Sequence, residues 1–122
     1  MPATDLYILL IAVGGSYLLL IFISLFFYLK PPRRINSLYG YRTARSMKNL
    51  ENWHFANKIS ARYMLLGSMA GLIIFLLSVA FLRDQLSVSV LTTGNLVIMC
   101  VSLIALIPAV EIKLKKFESE RS

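Results

Sequence analysis

The chain has 122 residues, 57% of them hydrophobic and 16% charged, with a formal net charge of +7. A domain of this length could not bury so much apolar surface in water, which excludes an ordinary soluble enzyme or binding module. The net charge does not indicate direct nucleic-acid binding either, because the basic residues are concentrated beside apolar stretches, as in membrane proteins.

Three stretches carry no charged residue: residues 6–29, 64–82 and 87–110, which are 24, 19 and 24 residues long. Roughly 20 residues of α-helix, at about 1.5 Å each, cross the ~30 Å hydrocarbon core of a bilayer. The sequence therefore predicts an all-α integral membrane protein with three transmembrane helices, forming a single domain over residues 1–122. The first stretch follows Asp5 and is too long for a signal-peptide core, so we expect a retained span.

The distribution of basic residues predicts the orientation in the membrane. Twelve of the 13 Lys and Arg residues lie in the loop 30–63 or in the tail 111–122. With three spans, these two segments share one side of the membrane, which the positive-inside rule makes cytoplasmic. The N-terminus and the short turn 83–86 are then outside, and the lipid bilayer is the first expected partner.

A helix is predicted over residues 47–62, because this segment contains neither Gly nor Pro, with Ser46 or Thr43 as its N-cap. At 100° per residue its positions divide into two faces. The charged face carries Lys48, Glu51, His54, Lys58 and Arg62. The opposite face is polar but uncharged and carries Ser46, Asn49, Trp53, Asn57 and Ser60. This pattern predicts a cytoplasmic amphipathic helix that leads into the second span and packs by hydrogen bonds on another element.

Small and polar residues within the spans predict helix contacts. Gly67 and Gly71 form a GxxxG pattern, which allows close approach of span one, span three or another copy. Asn95 is strongly polar and must find a partner in lipid, through either an interhelical hydrogen bond or a ligand contact. After the third span we expect a short surface helix in which Glu111 pairs with Lys115, four residues later.

The sequence predicts no enzyme. It lacks a carboxylate pair on one face, a Ser–His–Asp set, a phosphate-binding Gly loop and a Cys/His cluster, so we assign no catalytic, cofactor-binding or metal-binding residue. All three spans also lack the ionisable side chains that proton- and ion-coupled transporters use within the membrane. His54 is expected on a solvated face, and Cys100 is expected to act as a small apolar residue.

The segment between the first two spans carries a dense pattern: Ile35-Asn36-x-x-Tyr39-Gly40-Tyr41-Arg42-Thr43-x-x-Ser46-Met47-Lys48-Asn49-x-Glu51-x-Trp53-x-x-Ala56-Asn57. This pattern resembles the SdpI family, bacterial integral membrane proteins named for an immunity protein against a sporulation-delaying peptide toxin. The flanking spans fit the three-helix core of that family. The chain departs from it at Ala44, where many members have Pro, and the founding protein carries additional membrane segments ahead of this core.

The resemblance implies a bacterial plasma-membrane protein that protects against a membrane-active peptide toxin and signals by recruiting a cytoplasmic regulator. A peptide toxin and such a regulator are therefore expected partners, and homo-oligomer formation stays open. The alternative is a structural or assembly subunit of a larger membrane complex with no immunity role.

The candidate site consists of the signature residues Asn36, Tyr39, Gly40, Tyr41, Arg42, Thr43, Ser46, Asn49, Trp53 and Asn57. These residues either bind a partner or stabilise the fold. We expect them to form a fixed cap on the cytoplasmic ends of the helices, with Gly40 turning the backbone. Arg42 is expected to donate to helix-end carbonyls or to a lipid phosphate. Asn49, Trp53 and Asn57 are expected to form the surface on which the cap packs.

Overall fold

The computed structural model describes residues 1–121, and that range contains helices, turns and loops but no β-strand. Within it, three helices are long and apolar enough to cross a membrane: α1 (Ala3–Leu29), α2 (Leu50–Leu82) and α3 (Val88–Arg121). The prediction of an all-α, multi-pass membrane protein is confirmed at this level.

The helices are longer than the uncharged stretches that predicted them. α2 runs for 33 residues without a break at residue 64, and α3 runs for 34 residues through Pro108. Helices tolerate such a proline in a membrane protein because neighbouring groups satisfy the freed carbonyl. The start of α2 and the end of α3 therefore project together beyond the uncharged stretches.

The first helix contains one π-helical turn, Leu10–Gly14, and ends at Leu29. Lys30 leaves the helical conformation with φ −130° and ψ 70°, and it is followed by Pro31 and Pro32, which lack the amide hydrogens that a continuing helix would need. At the other end of the bundle, the Met1 amino group lies 3.5 Å from the Asp84 carboxylate. The N-terminus and the turn between α2 and α3 are thus at the end opposite the long loop.

The start of α2 differs from the prediction. The helix begins at Leu50 and is capped by Asn49, whose Oδ1 accepts a 2.8 Å hydrogen bond from the Asn52 amide. The two residues expected to cap it instead bond to each other: the Thr43 amide donates to Ser46 Oγ (2.8 Å), and the Ser46 amide donates to Thr43 Oγ1 (3.2 Å). This exchange stabilises the turn over residues 44–47 that precedes the helix.

The membrane part of the bundle packs around Tyr17 of α1, which is 1% exposed. Gly71 of α2 makes room for its ring, since a Cβ at Gly71 would lie 2.4 Å from Tyr17 Cε1. The Tyr17 hydroxyl donates to the backbone oxygen of Asn95 at 3.4 Å, and Asn95 Nδ2 donates to Ser78 Oγ at 3.1 Å. The buried apolar residues around this junction are Leu9, Val13, Phe75, Val79, Leu91 and Met99. All three helices therefore meet at one tyrosine.

The two members of the GxxxG pattern lie in different surroundings. Gly71 is buried against Tyr17, so span one is its partner. Gly67 is exposed, and a Cβ there would have no atom within 4 Å. It lies instead in an open groove between α2 and α3.

A second apolar cluster joins the projecting parts of α2 and α3. Ala56, Val110 and Leu114 are fully buried in it. The rings of Phe55 and Phe117 stack beside them, with centroids 4.2 Å apart and planes 7° apart. The projecting ends thus form a packed two-helix platform for the loop.

Candidate functional site

Residues 30–49, which we call the cap loop, contact the projecting ends of both α2 and α3. Side chains of α2 bond to the loop backbone at points from Pro32 to Arg45, and carboxylates of α3 bond to side chains in its second half. The sequence predicted a cap of this kind, but the residues that anchor it are only partly those of the signature.

Gly40 and Asn57 define the central contact between the cap loop and α2. Gly40 has φ +103°, a conformation that other residues rarely adopt, and a Cβ there would lie 2.6 Å from Asn57 Oδ1. The same Oδ1 accepts a 2.7 Å hydrogen bond from the Tyr41 amide, while Asn57 Nδ2 donates to the Trp53 carbonyl at 2.9 Å. The backbone amide of Tyr41 thus has a hydrogen-bond partner, and that partner is the buried side chain of Asn57 rather than another stretch of backbone.

The entry to the cap loop is held by two consecutive residues of α2. Trp53, which is fully buried, donates from Nε1 to the Pro32 carbonyl at 2.8 Å. His54 Nε2 lies 2.8 Å from the Arg33 carbonyl and must carry the hydrogen, because a carbonyl oxygen can only accept. Since Trp53 and Asn57 are buried against the cap loop, they act on it rather than presenting a free surface to a partner.

Alternate residues of the second half of the cap loop converge on Glu111 of α3. Tyr41 Oη donates to Glu111 Oε1 at 2.8 Å, and Thr43 Oγ1 donates to the same oxygen at 2.7 Å. Arg45 Nε lies 3.6 Å from Glu111 Oε2. In extended chain, side chains at i and i+2 point to the same side, as those of Tyr41 and Thr43 do, whereas Arg45 lies in the turn over residues 44–47. Burial and the Glu111 bond raise the pKa of Tyr41 above its usual value, so the phenol stays protonated.

The last contact joins the cap loop, α2 and α3 at Glu118. Asn52 Nδ2 donates both to the Arg45 carbonyl (3.0 Å) and to Glu118 Oε1. Arg45 Nη1 donates to Glu118 Oε2 at 2.6 Å, and Lys48 Nζ lies 3.9 Å from Oε1. The Asn52 bond and then the bond from Arg45 hold the pKa of Glu118 below its usual range, against the opposite effect of partial burial.

The outer part of the cap loop is exposed. Asn36 Oδ1 accepts from the amides of Leu38 (3.0 Å) and Tyr39 (2.9 Å), which closes a tight turn. The Tyr39 ring stacks on Phe27 of α1 at 6.2 Å. Arg42 donates to the Ser37 carbonyl within the loop, rather than to helix-end carbonyls as expected. Asn36 and Arg42 therefore shape the loop itself.

Three anchors were missed by the sequence analysis: Asn52, Glu111 and Glu118. Glu111 was expected to pair with Lys115, but its carboxylate contacts Tyr41, Thr43 and Arg45 instead. One signal was present, since Glu111 directly follows a 24-residue uncharged stretch and a charge placed there must find partners at the membrane surface. No comparable local signal marked Asn52 or Glu118. Within residues 1–121 no group of three or more His, Cys, Asp or Glu side chains could hold a metal ion.

These features define the class of the protein as a multi-pass membrane protein with three helices long enough to span the bilayer. Two of these helices, α2 and α3, extend past the uncharged stretches, and the cap loop bonds to both of them. The chain belongs to the SdpI/YfhL protein family, whose sequence model matches residues 33–110, more than half of the chain. The resemblance seen in the signature is thereby confirmed. Membership suggests a membrane protein of the immunity type, in a family not known for enzymes.

A curated relative is the uncharacterized protein YfhL of Bacillus subtilis (strain 168), which is 46% identical over 57 residues. The match covers 47% of this chain and 50% of the relative, so the chain spans about half the length of that protein. No solved structure matches this chain.

Proposed function

We propose that the protein is an immunity protein of the bacterial plasma membrane, which protects its cell against a membrane-active peptide toxin. Family membership carries this proposal, because the matched range includes most of the cap loop, all of α2 and the membrane part of α3. The orientation proposed is N-terminus outside, with the cap loop and the end of α3 in the cytoplasm. The clustering of 12 of the 13 basic residues at that end supports it.

The fold offers a route from the membrane to the cytoplasmic surface. α2 and α3 are continuous from the proposed outer turn to the cap loop, and the loop is bonded to Asn57 on one helix and Glu111 on the other. A toxin that alters the packing of α2 against α3 would therefore move the two anchors relative to each other. The exposed residues Leu38 (83%), Tyr39 (50%) and Arg42 would present this change to a cytoplasmic regulator.

The test is protection of a toxin-sensitive bacterium that expresses the full chain. Cells would be exposed to a purified membrane-disrupting peptide of the sporulation-delaying type, and depolarisation and survival would be measured against dose. We expect the half-lethal dose to rise by at least about tenfold relative to cells with empty vector. Equal sensitivity, with the protein verified in the membrane, would refute the immunity role for that class of toxin.

A second candidate function is that of an assembly subunit in a larger membrane complex. The groove between α2 and α3 favours it, because four of its eight lining residues are small, and small residues let another helix approach closely. Its lining includes Gly67, Ser102, Ala105 and Ala109. Co-purification with a fixed partner, or with a second copy, in cells never exposed to toxin would support this role over immunity.

A further inference from the structure

We propose that a cavity beside the start of the cap loop binds the phosphate group of an anionic phospholipid. The cavity lies between the end of α1 and the first turns of α2 and has a volume of about 480 Å³. It is lined by Tyr28, Pro31, Pro32, Arg33, His54 and Lys58. The proposal does not depend on the immunity role, since a lipid could occupy this site in either of the functions above.

The wall of this cavity is held in place before any ligand arrives. The Pro32 carbonyl is bonded to Trp53 and the Arg33 carbonyl to His54, each at 2.8 Å. Two consecutive backbone groups are thus fixed on two consecutive residues of one helix. Binding at Arg33 would not have to order the backbone that carries its side chain, which removes one cost of binding.

The cations of the cavity have no acidic partner in the protein. Within residues 1–121 neither Arg33 nor Lys58 lies within 4.0 Å of a carboxylate, and both are exposed. Arginine and lysine side chains that are not neutralised internally are the groups that bind phosphate oxygens in proteins. The cavity therefore offers two positive charges to an external anion.

A second basic cavity of the same protein provides the contrast. It has a volume of about 470 Å³, and the cations in its lining are Arg45, Lys48, Lys115 and Arg121. Arg45 and Lys48 pair with Glu118, and Arg121 pairs with Glu51. Within residues 1–121, Lys115 has no carboxylate within 4.0 Å. Three of these four charges therefore join elements of the fold to one another, whereas both cations at the start of the cap loop are left for a ligand.

The depth of the cavity favours a lipid as the source of the phosphate. Tyr28 is the penultimate residue of α1, and its ring is of the type enriched at membrane interfaces. Lys58 lies six residues before residue 64, where the uncharged stretch of α2 begins, which is about 9 Å along a helix. The headgroup layer of each leaflet is about 5–8 Å thick, so the backbone of Lys58 lies just beyond its outer edge. The long lysine side chain can extend from there to the lipid phosphates.

The experiment uses the purified full chain in a neutral detergent and measures thermal unfolding by the fluorescence of Trp53. Phosphatidylglycerol, phosphatidylcholine or inorganic phosphate is added to the wild type and to two double variants. Arg33→Gln/Lys58→Gln removes the charges of the cavity. Lys113→Gln/Lys115→Gln is the matched control, because it also lowers the net charge by two. Both lysines are exposed, and neither lies within 4.0 Å of a carboxylate of residues 1–121.

We expect phosphatidylglycerol to raise the Tm of the wild type and of the control by several degrees more than phosphatidylcholine does. The cavity variant should lose most of that difference. Native mass spectrometry should detect more bound phosphatidylglycerol on the wild type and the control than on the cavity variant. This second measurement does not depend on the Tm, so it applies even if the cavity variant is less stable.

Three results would overturn the proposal. An equal loss in both double variants would mean diffuse attraction between a basic surface and anionic lipid. No preference for phosphatidylglycerol in the wild type would mean that there is no site. An equal Tm shift with inorganic phosphate would mean that the cavity takes a soluble phosphate rather than a lipid.

Discussion

The hydroxyl of Tyr41 donates a 2.8 Å hydrogen bond to Glu111, a residue 70 positions further along the chain. This bond connects the loop after the first membrane helix to the end of the third. Thr43 donates to the same carboxylate at 2.7 Å. Glu111 is therefore one of the two carboxylates, with Glu118, through which α3 holds the cap loop.

Replacing Glu111 by Ala should destabilise the protein by about 1–3 kcal/mol, because the two hydroxyls lose a charged acceptor in a partly buried place. The measurement is the free energy of unfolding in mixed micelles with added denaturant. Glu120→Ala is the control, since Glu120 is 65% exposed and its one ion pair among the described residues is with Lys116, one helical turn away. That variant should change stability by less than about 0.5 kcal/mol. Similar losses in both variants would contradict the anchoring role of Glu111.

Of the two glycines in the GxxxG pattern, only Gly71 should lose stability when it is replaced by Ala. Gly71→Ala places a methyl group 2.4 Å from Tyr17 Cε1 and should cost about 1–3 kcal/mol through overpacking. Gly67→Ala meets no atom within 4 Å and should be tolerated. Thermal unfolding in detergent measures both, and Tyr17→Leu should partly restore Gly71→Ala. If both glycine variants unfold alike, the proposed packing of α1 on α2 is wrong.

Gly40→Ala should detach the cap loop from α2. An alanine at this position would have a strained backbone at φ +103°. Its methyl group would lie 2.6 Å from Asn57 Oδ1, the atom that accepts the hydrogen bond from the Tyr41 amide. This backbone strain alone should lower the free energy of unfolding by about 1–2 kcal/mol. Trp53 is the only tryptophan and is fully buried, so its emission should shift to longer wavelength. Gly94→Ala, where a Cβ meets nothing within 4 Å, should leave the emission unchanged. An unchanged spectrum in Gly40→Ala would show that the loop does not need this conformation.

Stability should fall in acid because of Glu118. Its pKa is lowered in the folded state, first by the Asn52 hydrogen bond, so the carboxylate stabilises the fold above the unfolded pKa of about 4.3. That contribution is lost as pH falls through the lower folded pKa. Unfolding measured between about pH 7 and pH 3 should show a shallower acid slope in Glu118→Gln than in the wild type. Parallel slopes would mean that other carboxylates account for the acid sensitivity.

Arg42→Ala should separate folding from partner binding. Its guanidinium is exposed, and its one hydrogen bond within residues 1–121 is to the Ser37 carbonyl, so we expect stability to change by less than about 1 kcal/mol. If the cap loop recruits a regulator, the variant should still accumulate in the membrane but recruit less of it, as measured by crosslinking from a probe at Leu38. Full recruitment would exclude Arg42 from the partner surface.

The membrane class could be predicted from the sequence because it depends on local composition. A helix that spans a bilayer satisfies its own backbone, so an uncharged stretch of sufficient length already implies the element. The two prolines that end α1 and the glycine with positive φ act through their own backbones, and both could be recognised without knowledge of their neighbours.

The anchors of the cap loop could not be predicted in this way. Glu118 and Asn52 look like ordinary surface residues in the sequence, and the position of Glu111 after an uncharged stretch shows only that it needs partners. All three contact the cap loop because α2 and α3 continue side by side past the uncharged stretches. Which glycine of the GxxxG pattern packs was likewise decided by the position of Tyr17. Long-range contacts of this kind depend on how whole helices are placed against one another, so only the tertiary structure determines them.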